Sequence, residues 1–155
     1  ILKEKYPHIN FLLSGKIDIE NPSHIKLEEL KKISDLGTVK YIGYEKNMKK
    51  LINNCNIFVY PSYYGEGLPK VLIEVAMSGR PIITTNLPGC KDAIINNLTG
   101  FLVEPMNVQQ LIEYSEKLIN NTNLRKEMAK NAREFALKKF NISKVVEQHL
   151  EIYDL

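Results

Sequence analysis

Short apolar runs alternate with longer amphipathic segments through most of this chain, and that rhythm restricts its possible folds more than any other feature. The runs are Phe11-Leu12-Leu13-Ser14-Gly15, Val39-Lys40-Tyr41-Ile42-Gly43, Ile57-Phe58-Val59-Tyr60, Pro81-Ile82-Ile83-Thr84-Thr85 and Gly100-Phe101-Leu102-Val103. Each has the length of a strand, and 57–60 is expected to be a buried one. Between them, residues 27–36, 48–54, 69–78 and 91–95 carry helical patterns. Strands alternating with helices at this spacing predict an α/β fold, a doubly wound parallel sheet with helices on both faces.

After Pro105 the pattern becomes entirely helical. Val108, Leu111, Ile112, Leu118 and Ile119 form one apolar stripe, and Leu124, Met128, Ala132 and Phe135 form the next. Thr122 or Asn123 is the expected cap of the second helix, and Asn141 that of a final amphipathic helix over 142–153. These extra C-terminal helices are expected to pack on the sheet or on a domain outside this chain.

The chain has 155 residues, 44% of them hydrophobic and 25% charged, enough to bury one core, so 1–155 reads as a single domain. The net charge of +3 comes from interleaved signs, as in Lys126-Glu127 and Arg133-Glu134, rather than from a basic block. That pattern argues against a nucleic-acid partner, while leaving weak attraction to an anionic membrane surface or a diphosphate open. Cys55 and Cys90 stand far apart and outside any zinc-ligand spacing, so buried free thiols in a reducing cytoplasm are expected and a structural metal is not. No apolar run approaches the roughly 20 residues that cross a bilayer, and 9–13 is too short for a secretory core. The stretch from Ile1 to Pro7 reads as the last turn of a helix entering a strand, so the chain is expected to begin inside a domain truncated at its N-terminus.

The most informative segment runs from Tyr60 to Pro81: strand, loop, helix, turn. Gly65 and Gly67 allow close approach of a ligand to the backbone, and Pro69 is expected near the first helical position, where its missing N–H costs nothing. A loop leaving the carboxyl end of a parallel strand feeds a helix N-terminus, whose N–H groups and dipole favour an anion such as a diphosphate. Val71, Leu72, Val75 and Ala76 make the apolar stripe, which Glu74 interrupts. An ionised carboxylate only accepts hydrogen bonds, so Glu74 suits the two vicinal hydroxyls of a ribose; the bland alternative places it on the solvated helix edge. Glu66, likewise, either contacts a ligand or only favours the helix N-terminus electrostatically.

Seven residues separate Glu66 from Glu74, with strand-Pro61-Ser62 before and Ala76-Met77-Ser78-Gly79-Arg80-Pro81 after. This arrangement resembles the Glu-x7-Glu region of the group 1, family-four retaining glycosyltransferases. The resemblance extends to Val39-Lys40-Tyr41-Ile42-Gly43, Pro88-Gly89-Cys90-Lys91-Asp92 and Asn97-Leu98-Thr99-Gly100-Phe101-Leu102-Val103. It implies the Rossmann-like, nucleotide-sugar-binding C-terminal half of a two-domain GT-B enzyme, with the N-terminal acceptor domain and its catalytic histidine absent. None of His8, His24 or His149 stands in a matching context. The expected activity is transfer of a hexose or N-acetylhexosamine from a nucleoside diphosphate sugar, UDP-linked by expectation, with retention. The expected acceptor is a glycan or lipid-linked acceptor of bacterial capsule, lipopolysaccharide or related surface polysaccharide or oligosaccharide assembly.

Carried over by position, the resemblance places Glu66 at the donor sugar's hydroxyls as the catalytic-site carboxylate and makes Glu74 the ribose clamp. Gly67, Leu68, Pro69 and Lys70 then line the sugar and diphosphate, although Lys70 reads equally as a surface lysine. Gly15, Gly43 and Tyr44 match regions bordering the nucleotide; read locally they are two turn glycines and a rim aromatic. The resemblance implies no cofactor and no metal, and a cytoplasmic location with room for contact at the membrane's cytoplasmic face. Two departures matter. The Arg and Lys that usually neutralise the donor diphosphate would precede Ile1, and Gly65 stands where an Arg is frequent, which leaves the sugar open.

Three other readings compete. A glycosidase would use Glu66 and Glu74 as a pair; were the segment between them fully helical, eight steps would span about 12 Å, beyond the roughly 5–9.5 Å between such carboxyls, although Glu66 is expected before the helix. A second is a non-catalytic doubly wound domain, either a regulatory nucleotide binder or a receiver; a receiver needs an acidic cluster at its strand ends, and Lys16-Ile17-Asp18 supplies none. A sugar-nucleotide epimerase would keep the same pocket and differ only in product.

Overall fold

The computed structural model describes residues 1–21 and 24–153. The chain forms two compact units, Ile1–Met48 and Lys49–Leu155. In the first, α1 (Leu2–Lys5) precedes β1 (Leu12–Ser14), α2 (Leu27–Asp35) and β2 (Lys40–Gly43). β1 and β2 are parallel, with Leu12 opposite Lys40 and an irregularity in register between Leu13 and Ser14. Ser34 Oγ on α2 accepts from the Tyr41 N–H at 2.9 Å, and Leu30 is the buried residue of that helix.

The helix α3 (Met48–Asn53) leads into the second unit, which contains β3 (Phe58–Tyr60), α4 (Lys70–Met77), β4 (Ile82–Thr85) and β5 (Gly100–Val103). A single 3-10 turn, Lys91–Ala93, stands where a short helix over 91–95 was expected. The three strands are parallel in the order β3-β4-β5. The parallel α/β architecture is therefore as expected, but hydrogen bonding groups its strands into a two-stranded and a three-stranded sheet rather than one. β4 is central in the larger sheet and all four of its residues are buried. β3 forms one edge of that sheet, so the expectation of a buried strand is corrected: Val59 is 41% exposed.

Three helices close the chain: α5 (Val108–Asn120), α6 (Thr122–Lys139) and α7 (Ile142–Ile152). The second unit's core joins Ile83 of β4, Phe101 and Val103 of β5, Leu118 of α5 and Met128 of α6. Phe101 stacks on Tyr114 with ring centroids 4.5 Å apart, adding an oriented aromatic contact to the burial. Leu72, Val75 and Ala76 bury one face of α4, which packs against α6 and β4. Within this unit Arg80 donates to the Ile52 and Asn53 carbonyls at the end of α3, at 3.2 and 2.8 Å.

The caps correct one expectation and bear out another. Asn121, rather than Thr122 or Asn123, caps α6: its side chain accepts from the Leu124 N–H at 2.9 Å. Thr122 is the first helical residue instead, and its hydroxyl accepts from Arg125 Nη2. Asn141 caps α7 as expected, through the Ser143 N–H. Among the described residues, no helix is long and apolar enough to cross a membrane.

Candidate functional site

The loop from β3 to α4 is fixed at its start by two buried threonines of the central strand. Thr84 Oγ1 donates to the Tyr60 carbonyl at 2.8 Å, and Thr85 Oγ1 donates to the Ser62 carbonyl at 2.6 Å. A buried hydroxyl requires such a partner, and here the requirement anchors the backbone at the sheet's carboxyl end. At the other end of the loop Pro69 is buried and extended (φ −65°, ψ 123°). It is the residue before the helix, rather than within its first turn, and it provides no side-chain cap. The first backbone N–H groups of α4 thus have no side-chain cap, the arrangement that favours an anion.

Glu66 lies in this loop, and Tyr60 Oη donates to both of its carboxylate oxygens, at 3.1 and 3.3 Å. Burial, then the hydrogen bond to Glu66 and its charge, push the Tyr60 phenol up to about 12, so it stays a donor throughout the neutral range. Gly89 supports the same segment from the backbone side. Its φ is +82°, and a Cβ there would collide with the Glu66 and Gly67 carbonyl oxygens and approach the Gly67 carbonyl carbon to 2.7 Å. The Gly89 N–H donates to Asp92 Oδ2 at 3.0 Å, which holds the turn.

Glu74 sits one turn into α4, where Lys70 Nζ lies 3.5 Å from its Oε1. Its side chain is 38% exposed, intermediate between the two alternatives of a solvated edge and an enclosed clamp. Lys70 is 89% exposed, so this (i, i+4) pair leaves both groups open to solvent and to a ligand. Glu66, Gly67, Leu68, Pro69, Lys70 and Glu74 all belong to this one loop–helix segment. Gly65 and Gly67 have open space where a side chain would project.

The other sequence-based candidates lie in the first unit. The Gly15 N–H donates to the Gly43 carbonyl at 3.0 Å, and Tyr41 Oη donates to the Gly15 carbonyl at 2.9 Å, so these two glycines are brought together at the end of the β1-β2 pair. Gly43 has φ +68°, a conformation that favours glycine; Tyr44 beside it is 68% exposed. A cavity of about 240 Å³ is lined by Gly15, Lys16, Asp18, His24, Leu30 and Tyr41 among others, all of this unit. His24 is engaged locally through Nδ1 with the Asn21 carbonyl at 2.7 Å, and His8 meets Tyr6 edge-on.

Sequence reasoning missed Tyr60, Thr84, Thr85 and Gly89. The polar residues ending an otherwise apolar β4 run and the Pro88-Gly89 turn were the available signals. Exposed Tyr63 and Tyr64, with ring centroids 4.3 Å apart, precede Glu66 in the loop. Cys90 is buried, whereas Cys55 is only half-buried, correcting the expectation for that thiol; both are free. Burial pushes the Cys55 thiol up against an opposing pull from Arg80. Among the described residues, no three His, Cys, Asp or Glu side chains converge as a metal-binding group.

A parallel α/β sheet whose strand end feeds a Gly-containing loop and a helix N-terminus is a Rossmann-like architecture. The chain belongs to the group 1 glycosyl transferases, whose family model matches residues 1–135. It is 36% identical over 154 residues to the Campylobacter jejuni N,N'-diacetylbacillosaminyl-diphospho-undecaprenol alpha-1,3-N-acetylgalactosaminyltransferase, covering 99% of this chain and 38% of that relative. It therefore spans well under half of that relative's length. The structure of Anabaena Alr3699/HepE in complex with UDP superposes with a TM-score of 0.87 at 23% identity, over 99% of this chain and 43% of the other. The C-terminal domain of a group 1 glycosyl transferase family protein (LpcC) from Francisella tularensis superposes with a TM-score of 0.78 at 24% identity, over 90% of this chain and 74% of the other. The fold is that of GT-B C-terminal domains.

Proposed function

We propose that this chain is the donor-binding part of an enzyme that transfers a hexose or N-acetylhexosamine from a UDP-sugar, with retention, to a glycan or lipid-linked acceptor in bacterial surface polysaccharide or oligosaccharide assembly. The observation that carries the reading is the single loop–helix segment holding Glu66, the α4 N-terminus and Glu74 in a member of this family. In this reading Glu74 accepts from the ribose hydroxyls and Glu66 from hydroxyls of the donor sugar. Gly67, Leu68, Pro69 and Lys70 border the diphosphate.

As the acceptor oxygen bonds to the anomeric carbon, the bond from that carbon to the diphosphate breaks, and UDP departs carrying the acceptor's proton. The α4 N-terminus stabilises the charge that grows on the departing phosphate, a preorganised role that needs neither metal nor cofactor. The UDP complex of the Anabaena neighbour supports the choice of nucleotide, and the lipid-linked acceptor in the Campylobacter relative's name supports the acceptor class. That name also specifies an alpha linkage, the outcome of retention from an α-linked sugar nucleotide. The proposed location is the cytoplasm, with acceptor contact at the membrane's inner face.

The test is incubation of the full-length protein with a panel of UDP-sugars and undecaprenyl-diphosphate-linked acceptors, with the product linkage assigned by NMR. An α-linked elongated acceptor is expected. A β linkage would overturn retention, and epimerised UDP-sugar without transfer would favour the epimerase reading.

A further inference from the structure

Glu66 is exposed, in a loop, and flanked by Gly65 and Gly67, which have open space where a side chain would project, yet it is held at two points that none of those features requires. Tyr60 Oη donates to Oε1 and Oε2 together, and Tyr60 is itself fixed by the bond from buried Thr84 to its carbonyl. Behind the loop, Gly89 lies so close to the Glu66 and Gly67 carbonyls that no side chain fits between them. A carboxylate has about four acceptor sites. A phenol bridging both oxygens occupies the region between them and leaves the outer sites, so it restricts the directions from which sugar hydroxyls can donate.

We propose that Tyr60 is a positioning and specificity-determining residue: by bridging the Glu66 carboxylate against a backbone wedged in place by Gly89, it selects which donor-sugar hydroxyls Glu66 accepts. This rests on the reading of Glu66 as the group facing the donor sugar. A Tyr60 that served only the fold would influence stability, and donors differing in one hydroxyl would respond to its loss equally. A Tyr60 that sets the carboxylate's direction separates those donors while leaving the nucleotide's own contacts at Glu74 alone.

The experiment compares full-length wild type, Tyr60→Phe and Glu66→Gln for UDP affinity and for kcat/KM with UDP-sugars that are epimers at one hydroxyl. Tyr60→Phe keeps the ring and removes only the donor. It is expected to leave UDP affinity within about twofold while lowering kcat/KM for the preferred donor about tenfold and shrinking the preference between epimers by a similar factor. Glu66→Gln is expected to lose more. If wild type transfers sugar and Glu66→Gln impairs it, but Tyr60→Phe keeps the wild-type epimer preference, the proposal is overturned and the donor-site reading stands. If wild type transfers no sugar, or Glu66→Gln transfers as wild type does, the underlying reading fails and the proposal with it.

Discussion

Lys70 Nζ stands 3.5 Å from Glu74 Oε1, one turn along the same helix, so the carboxylate proposed for the ribose has an exposed cation as its neighbour. An exposed pair of this kind stabilises a fold by only about 0–1 kcal/mol. Lys70→Met should leave the melting temperature nearly unchanged. If Lys70 also meets the diphosphate, the same variant should weaken UDP binding about three- to tenfold by calorimetry; an unchanged affinity would leave Lys70 as a surface residue.

Gly89→Ala combines a positive φ with collision against the backbone of Glu66 and Gly67. It should cost about 2 kcal/mol in urea unfolding, more than the roughly 0.5 kcal/mol typical of a surface substitution. A neutral result would mean that the turn and the Glu66 loop separate freely.

Thr85→Val preserves shape while removing the donor to the Ser62 carbonyl. Losing that partner should destabilise by about 1–3 kcal/mol. The amides of residues 62–68 should also exchange faster with solvent, which hydrogen exchange measures directly.

Tyr60 provides the pH dependence. Its phenol is raised from about 10 in the unfolded chain to about 12 in the fold, so the unfolded state loses this proton first. Its contribution to stability is complete below pH 10 and declines as pH rises through the interval up to about 12. Phenolate absorbance should therefore show a late-titrating component in wild type that Tyr60→Phe lacks. Exposed Tyr63 is also raised, by its bond to Tyr64, and should persist in both proteins.

The strands and helices were legible because their side chains repeat with the period of their backbone: Ile82 to Thr85 read as a strand, and α5 as a helix from Leu111, Ile112 and Leu118. Local competition limited the rest. Asn121 outcompetes Thr122 as a cap because its extended backbone brings its own side chain to the Leu124 N–H. β3 is as apolar as β4 in sequence, yet Val59 is exposed, while β5, the other edge of the larger sheet, is buried through Phe101 and Val103 against Leu118 and Met128; the difference is set by what covers a strand rather than by composition. Glu66 and Glu74 were visible through their motif. Tyr60, Thr84 and Gly89 were not, because their partners lie across the strand-to-strand pairing or in a separate turn.

UDP titrated calorimetrically into the full-length protein and into its Glu74→Ala variant tests most directly whether this loop–helix segment is a nucleotide-sugar site. Stoichiometric binding by wild type, weakened about 10- to 100-fold by Glu74→Ala without a change in folding, is the expected result, given about 1.5–3 kcal/mol for hydrogen bonds to a charged group. Folded, intact wild type that binds no UDP, or a Glu74→Ala variant that binds it as tightly as wild type, would contradict it.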